Sequence, residues 1–230
     1  MKPDVATTPP APETTAATVS SVSPGYDALK RAGDVLGAGV GLLFLFPVFV
    51  AISALIVLDS RGPVLHRRRV LARQAYREGE TPRTFDAFKF RTMIPGADEW
   101  LEQNPAAHTE YRKQYKLPAD PRVTRIGGWL RRTSLDELPQ LINVLRGQMS
   151  LVGPRIITPP ELSHYGDHAA KLITVIPGLT GWWQVSGRSG VSYAERVRLD
   201  MWYIDNRTLR LDWRILIRTI AVVFQRYGAY

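Results

Sequence analysis

From Val35 to Leu58 the sequence carries no charged residue, and Asp34 and Asp59 bracket the run. As one helix these 24 residues would reach ~36 Å, enough to cross a hydrocarbon core of ~30 Å. Two features complicate a simple crossing. Pro47 stands near the middle, where it removes a backbone hydrogen bond and bends the helix. Lys30 and Arg31 precede the run, and Arg61, His66, Arg67, Arg68 and Arg69 follow it. Lys/Arg-rich flanks belong on the cytoplasmic side of a membrane, and here both flanks claim that side. The residues leave two forms open: a helix that enters, kinks at Pro47 and returns to the same leaflet, and a spanning helix that tolerates its proline. A buried helix of a soluble core is a third form, opposed by the length of the run and its lack of charge. Gly33, Gly37 and Gly41 form a ladder of small residues, suited to helix pairing or to close packing on the protein's own body.

The 230 residues suffice for one catalytic domain with appendages. Residues 1–24, rich in Ala, Thr, Pro and Ser without hydrophobic periodicity, read as a disordered tail that lacks the marks of a secretory signal. A net charge of +9 implies an anionic partner, whether nucleic acid, lipid headgroups or a phosphorylated small molecule. The sequence has no cysteine, which excludes disulfides, thiol catalysis and Cys-based metal sites. Past Gly62-Pro63, Val64–Leu71 and Thr84–Met93 predict two strands, and Asp98–Lys116, Leu138–Arg146 and Tyr193–Asn206 predict helices. The C-terminal segment predicts an amphipathic helix with Trp213, Leu216, Ile217, Ile220, Ala221 and Phe224 on one face and Arg210, Arg214 and Arg218 opposite. It suits either a membrane surface or the domain core.

Phosphate-loop, dinucleotide and serine-hydrolase motifs are absent, and His164 and His168 read as surface residues. What carries chemistry is the block from Arg131 to Arg155, RRTSLDELPQLINVLRGQMSLVGPR. Ser134-Leu135-Asp136-Glu137 reads as a capping box. A cap accounts for one acid but not for two adjacent acids among arginines. A carboxylate at a helix start beside Arg131 and Arg132 is held ionised, and such a group can attack phosphorus to form an acyl phosphate.

The chain resembles the bacterial sugar transferases, single-domain polyprenyl-phosphate phosphoglycosyltransferases. The resemblance runs from about Lys30 to Thr219 on the blocks GPV (62–64), KFRTM (89–93), DPRVTR (120–125), Arg132–Arg146, SLVGPR (150–155), PGLTGWWQVSGR (177–188) and LDMWYIDN (199–206). It implies a re-entrant membrane helix broken at a Ser-Pro pair, for which this chain has Phe46-Pro47, and Ile156 stands where the family has a second proline after Arg155. It implies Asp136 as nucleophile and Glu137 as its partner, with Mg2+ shared by Asp136 and the substrate diphosphate. It offers Lys89, Arg91, Arg131, Arg155, Gln184, Arg188 and Asp200 as substrate contacts, although Asp200 also reads as a helix cap. Trp182 and Trp183 read as core or interface aromatics, and Arg67–Arg69 and Arg210 as ordinary surface basicity.

The expectation is a mostly helical α/β catalytic domain (residues 61–230) with a short β-hairpin. It faces the cytoplasm and is anchored in the inner membrane by a re-entrant helix-hairpin (residues 25–60). The partners implied are a UDP-sugar, undecaprenyl phosphate and membrane lipids, not nucleic acid, and a homodimer is left open. The reaction implied is hexose-1-phosphate transfer, with galactose or glucose favoured, UMP released and an aspartyl-phosphosugar intermediate. The rival is a membrane-tethered basic protein without activity that binds nucleic acid or acidic lipid.

Overall fold

A computed structural model of the chain describes residues 25–77, 79–114, 117, 119–186 and 192–224. The tail over residues 1–24 and the candidate contact Arg188 therefore lie outside the described residues.

The charge-free run is part of one helix, α1 (Tyr26–Asp59), which continues through Pro47 for 34 residues. Its best 18-residue stretch has a mean hydropathy of 2.8 with only 11% of it buried, so most of this surface calls for an apolar solvent. The outer face presents Leu36, Leu43, Phe44, Phe46 and Leu58, each at least 65% exposed. The inner stripe follows the helical period and closes two cores. Ala38, Leu42 and Leu45 pack with Val70, Phe85, Ala87, Leu141, Val144 and Met149. Phe49, Ile52 and Ile56 pack with Phe90 and Leu130. The glycine ladder resolves in favour of the protein's own body. A Cβ on Gly37 would lie 2.7 Å from Leu151 and one on Gly41 3.3 Å from Leu141, whereas Gly33 faces open space.

Both ends of α1 are tied to the same body. At the start, Lys30 pairs with Asp212 at 2.7 Å, Arg31 donates to the Val144 and Leu145 carbonyls, and Asp34 accepts from the Leu151 N–H. At the end, Asp59 accepts from the Ile126 N–H at 3.1 Å. Arg91 completes that end. Its buried guanidinium donates to the carbonyls of Ile56, Ser60 and Arg61 and to the Ser60 hydroxyl. The Ser60 and Arg61 carbonyls are acceptors just past the helix end, and the Ile56 carbonyl also accepts from the Ser60 N–H.

Strands β1 (Leu65–Leu71) and β2 (Thr84–Phe90) form the expected antiparallel hairpin, with His66 opposite Lys89 and Arg68 opposite Ala87. The single helix expected over Asp98–Lys116 is instead two, α2 (Ala97–Glu102) and α3 (Pro105–Gln114). The reason is Pro105, which disfavours helical geometry at the residue before it. Helix α4 (Arg125–Thr133) is capped by Thr124, whose hydroxyl accepts from the Gly127 N–H. A 3-10 turn (Leu135–Glu137) and α5 (Gln140–Leu145) follow, and Gly147 at φ 76° ends the segment.

A second sheet, of parallel strands β3 (Ser150–Val152) and β4 (Gly178–Thr180), adds to the expected hairpin. At three residues each these strands are too short for a periodicity signal. A Cβ on Gly178 would meet the Gly153 nitrogen at 2.1 Å, so this crossing admits only glycine. Between them lie a 3-10 segment (Pro159–His168) and α6 (Ala169–Leu172). After β4 come α7 (Trp182–Ser186), α8 (Tyr193–Asn206) and α9 (Leu209–Phe224). Helix α9 docks through Leu211, Asp212 and Ile215, while Trp213, Ile217 and Ile220 of the predicted apolar face are exposed. Asp212 explains the offset, because its carboxylate gathers Tyr26, Lys30 and Tyr203 and turns that side of the helix inward.

Replacing Arg91 with Ala removes the buried guanidinium that donates to Ser60 and Arg61, just past the end of α1, and should lower stability by about 2–4 kcal/mol. Thermal denaturation in detergent micelles measures the loss, and substrate KM, compared where both proteins are folded, should stay within twofold.

Candidate functional site

The carboxylate pair is positioned by what precedes it. Ser134 stands in the left-handed region at φ 59°, ends α4 and makes no side-chain cap bond. The capping box expected at Ser134 is therefore not formed, because a left-handed residue does not point its hydroxyl along the following turn. A capping box exists elsewhere, between Thr158 and Glu161. The turn at Leu135–Glu137 packs against β2 and brings Asp136 and Glu137 to Lys89. The Lys89 ammonium lies 2.5 Å from Glu137 Oε1 and 3.9 Å from Asp136 Oδ2.

Burial separates the two acids. Asp136 is 8% exposed, and its burial raises the carboxyl to about 6 against the pull of Lys89, with the Glu137 charge adding to the rise. The group is thus mostly ionised at neutral pH, yet burial, not the helix start, dominates its state. The Glu137 side chain is about one-third exposed. Burial pushes it up, but Lys89, by charge and hydrogen bond, and then Arg155 and Arg68 outweigh that and hold the carboxyl below its usual range.

The surroundings are basic. Arg131 at the end of α4 donates to the Thr92 hydroxyl at 2.8 Å and lowers the Asp136 carboxyl. Arg68 pairs with buried Glu161 at 3.4 Å. Partial burial, opposed by Asp98 and aided by Arg68, Lys89 and Arg131, depresses the His66 imidazole. An adjoining network is built on α8. The fully buried Asp200 accepts from the Tyr165 hydroxyl at 2.8 Å and from the Arg155 backbone N–H at 3.4 Å. Burial lifts its carboxyl to about 7 despite those donors. Trp183, buried, lies beneath the Arg155 guanidinium at 4.9 Å.

Of the residues expected here, Asp136, Glu137, Lys89, Arg131 and Arg155 come into one electrostatic neighbourhood. Asp200 is not a cap. It lies inside α8, whose cap is the Ser192 hydroxyl, and it holds Arg155 in place. Arg91 stands apart at the end of α1, and Gln184 lies on α7 with its Oε1 buried and without a partner among the described residues. His66, Arg68, Tyr165, Asn143 and Arg196 were not anticipated. The strand period could have found two of them, since His66 and Arg68 share the hairpin face that carries Lys89.

Mg2+ can be tested against the donor set. Among the described residues no group of three or more His, Asp and Glu could hold a metal ion. The protein supplies two adjacent carboxylates that already share one cation, the Lys89 ammonium. Mg2+ commonly takes one or two carboxylates and completes its shell with phosphate oxygens and water, so this set fits.

The bacterial sugar transferase pattern matches residues 25–226. The chain is similar to the exopolysaccharide production protein ExoY of Rhizobium meliloti, 45% identical over 205 residues that cover 87% of this chain and 88% of the relative. It is also similar to the UDP-galactose-lipid carrier transferase of Erwinia amylovora, at 44% identity, and the undecaprenyl-phosphate galactose phosphotransferase of Salmonella typhimurium, at 41%. In these two the match covers 88% of this chain but 42% of the relative, so the chain spans less than half of their length.

The raised Asp200 carboxyl has a signed effect on stability. The folded state holds a proton between about pH 4 and pH 7 that the unfolded chain has released. Its contribution is full below the unfolded value and is lost as pH rises through about 7, at up to ~1.4 kcal/mol per pH unit. The difference in Tm between wild type and Asp200→Asn should therefore move against wild type from pH 5 to 7 and level off above. A pH-independent difference would show that Asp200 does not titrate there.

Proposed function

Because the chain belongs to the bacterial sugar transferase family, we propose that it moves a hexose 1-phosphate, galactose or glucose, from a UDP-sugar to undecaprenyl phosphate and releases UMP. The names of the Erwinia and Salmonella relatives support the donor and the carrier, and the name of the Rhizobium relative supports exopolysaccharide production as the setting. The observation that carries the chemistry is the buried Asp136 carboxylate beside a Glu137 already bonded to Lys89.

In the first step an Asp136 oxygen attacks the sugar-side phosphorus. The bond from that phosphorus to the bridging oxygen breaks, UMP leaves with the electron pair, and an acyl phosphate carrying the sugar remains. In the second step a phosphate oxygen of the lipid attacks the same phosphorus and Asp136 departs as carboxylate. Lys89, Arg131 and Arg155 offset charge on the phosphate oxygens as each transition state forms. The burial that raises Asp136 also strips water from it, which keeps the attacking oxygen nucleophilic and the acyl phosphate from hydrolysis. Mg2+, when bound, would be held by Asp136 and Glu137 together with substrate phosphates, and it supplies charge neutralisation.

The membrane arrangement proposed is re-entrant, with both ends of α1 and the catalytic body on the cytoplasmic side. What supports it is that Arg31 and Asp34 at one end and Asp59 at the other all bond to the same body. A helix threaded through to the far side would separate those partners by a bilayer.

Asp136→Asn keeps the shape of the turn and removes the nucleophilic anion, so folding should survive and UMP release should fall to background. Wild type given its UDP-sugar and Mg2+ without lipid should release at most one equivalent of UMP and gain a hexose phosphate at Asp136 by intact mass. Normal turnover by the Asn variant, or release of UDP, would sink the mechanism. For topology, the cysteine-free chain allows single cysteines at the exposed positions Asp27 and Arg67. A membrane-impermeant maleimide should label both from the same side of oriented vesicles, and labelling from opposite sides rules out the re-entrant form.

A further inference from the structure

Arg196, on the first turn of α8, stands over the same indole as Arg155. The two guanidinium carbons are 4.8 Å and 4.9 Å from the Trp183 ring centroid, and Arg196 is also 5.8 Å from that of Tyr193. Two cations on one ring repel each other. Burial and then the Arg155 charge lower the Arg196 guanidinium from its ordinary value. The Arg196 Nε is buried and has no hydrogen-bond partner among the described residues. Two positions along, Arg198 shows what a structural arginine does here, since it forks onto Glu195 at 2.8 Å and 2.6 Å. Among the described residues no such ion pair serves Arg155 or Arg196. The aromatic faces hold both groups in place without neutralising them. Arrangements of this kind recognise an anion with several oxygens, because a guanidinium presents a planar fork of donors to phosphate.

Arg155 connects this pair to the reaction. Its backbone N–H is fixed by Asp200, and its charge reaches Glu137. Resting on the transferase reading, we propose that Arg196 is a second substrate-binding arginine, which with Arg155 on Trp183 receives the phosphate oxygens of a substrate. The anion is either the diphosphate of the nucleotide sugar or the monophosphate of the lipid carrier. Nothing in the sequence pattern marks Arg196, which falls among four basic or acidic residues of an ordinary helix start.

The test uses the full chain in nanodiscs, with Arg196→Gln and Arg196→Lys. UDP binding is measured by calorimetry, and KM for the UDP-sugar and for undecaprenyl phosphate is measured separately. Loss of a charge-assisted contact predicts about 10- to 100-fold weaker UDP binding in the Gln variant, with donor KM raised to match. The Lys variant, which keeps the charge but not the fork, should recover part of that loss. If UDP binding is unchanged and only the KM for undecaprenyl phosphate rises, the site serves the lipid phosphate. UDP affinity and both KM values within twofold of wild type in both variants would overturn the assignment. So would a loss of Tm, alike in both variants, with KM unmoved. Should the Gln variant fail to fold, the Lys variant carries the same comparison. Arg196-dependent UDP binding by a wild type that releases no UMP from any UDP-sugar would leave this site standing and refute the transferase reading instead.

Discussion

The hydrogen bonds that close both ends of α1 onto the body are the constraint from which the architecture follows. Asp34 and Asp59 bracket the apolar run in the sequence, and each accepts a backbone N–H from the body, on Leu151 and Ile126. Between them the inner stripe of α1 completes two of the three hydrophobic cores found among the described residues. The long apolar helix is therefore part of the protein's interior as well as of its exposed apolar surface. The turn that carries Asp136 is held between elements that all lean on this helix. Leu130 of α4 and Phe90 at the end of β2 pack on Ile52 and Ile56, and Leu141 and Val144 of α5 pack on Ala38.

The same economy of space shapes the electrostatics. The two adjacent acids differ because Asp136 is turned into the protein while Glu137 is turned toward Lys89. Desolvation is the largest cause for both. It prevails at Asp136, whereas at Glu137 the charge and hydrogen bond of Lys89, with Arg155 and Arg68, outweigh it, so neighbours in sequence acquire opposite shifts. Asp200 repeats the first case more deeply, with a tyrosine hydroxyl and a peptide N–H in place of a cation. Basic groups ring this acidic centre, and most of them have structural partners that hold them at fixed positions.

Much of this was legible in the sequence wherever a long pattern or a residue type with few uses was involved. The uncharged run gave α1, the Gly62-Pro63 turn and the polar connection pointed to the hairpin, and the Asp136-Glu137 pair among arginines pointed to the candidate site. What escaped was set by tertiary contact. Arg91 reads as one more basic residue of a KFRTM block, and only the approach of the α1 terminus makes it a helix cap. Ser134 has the composition of a capping box, but its backbone geometry is fixed by the end of α4. Trp183 carries no sign in its neighbours that two arginines from distant segments will converge on it. Strands β3 and β4 are three residues each, shorter than the period that would announce them, and the only trace of their crossing is the pair Gly153 and Gly178.

Asn143 is fully buried on α5, seven residues past Asp136. Its side chain accepts from the Phe88 N–H at 2.9 Å and donates to the Asp86 carbonyl and to Gln148 Oε1, both at 2.8 Å. One amide thus clamps the helix that follows the Asp136 turn to the strand residue that precedes Lys89. The spacing between the lysine and the two carboxylates is consequently fixed by backbone geometry and is not left to long side chains searching for one another. The dipoles and charges around Asp136 are oriented when the chain folds, so in the proposed reaction little reorganisation energy would remain to be met. A neutral residue, Asn143, is in this way what ties the two elements of the candidate site together.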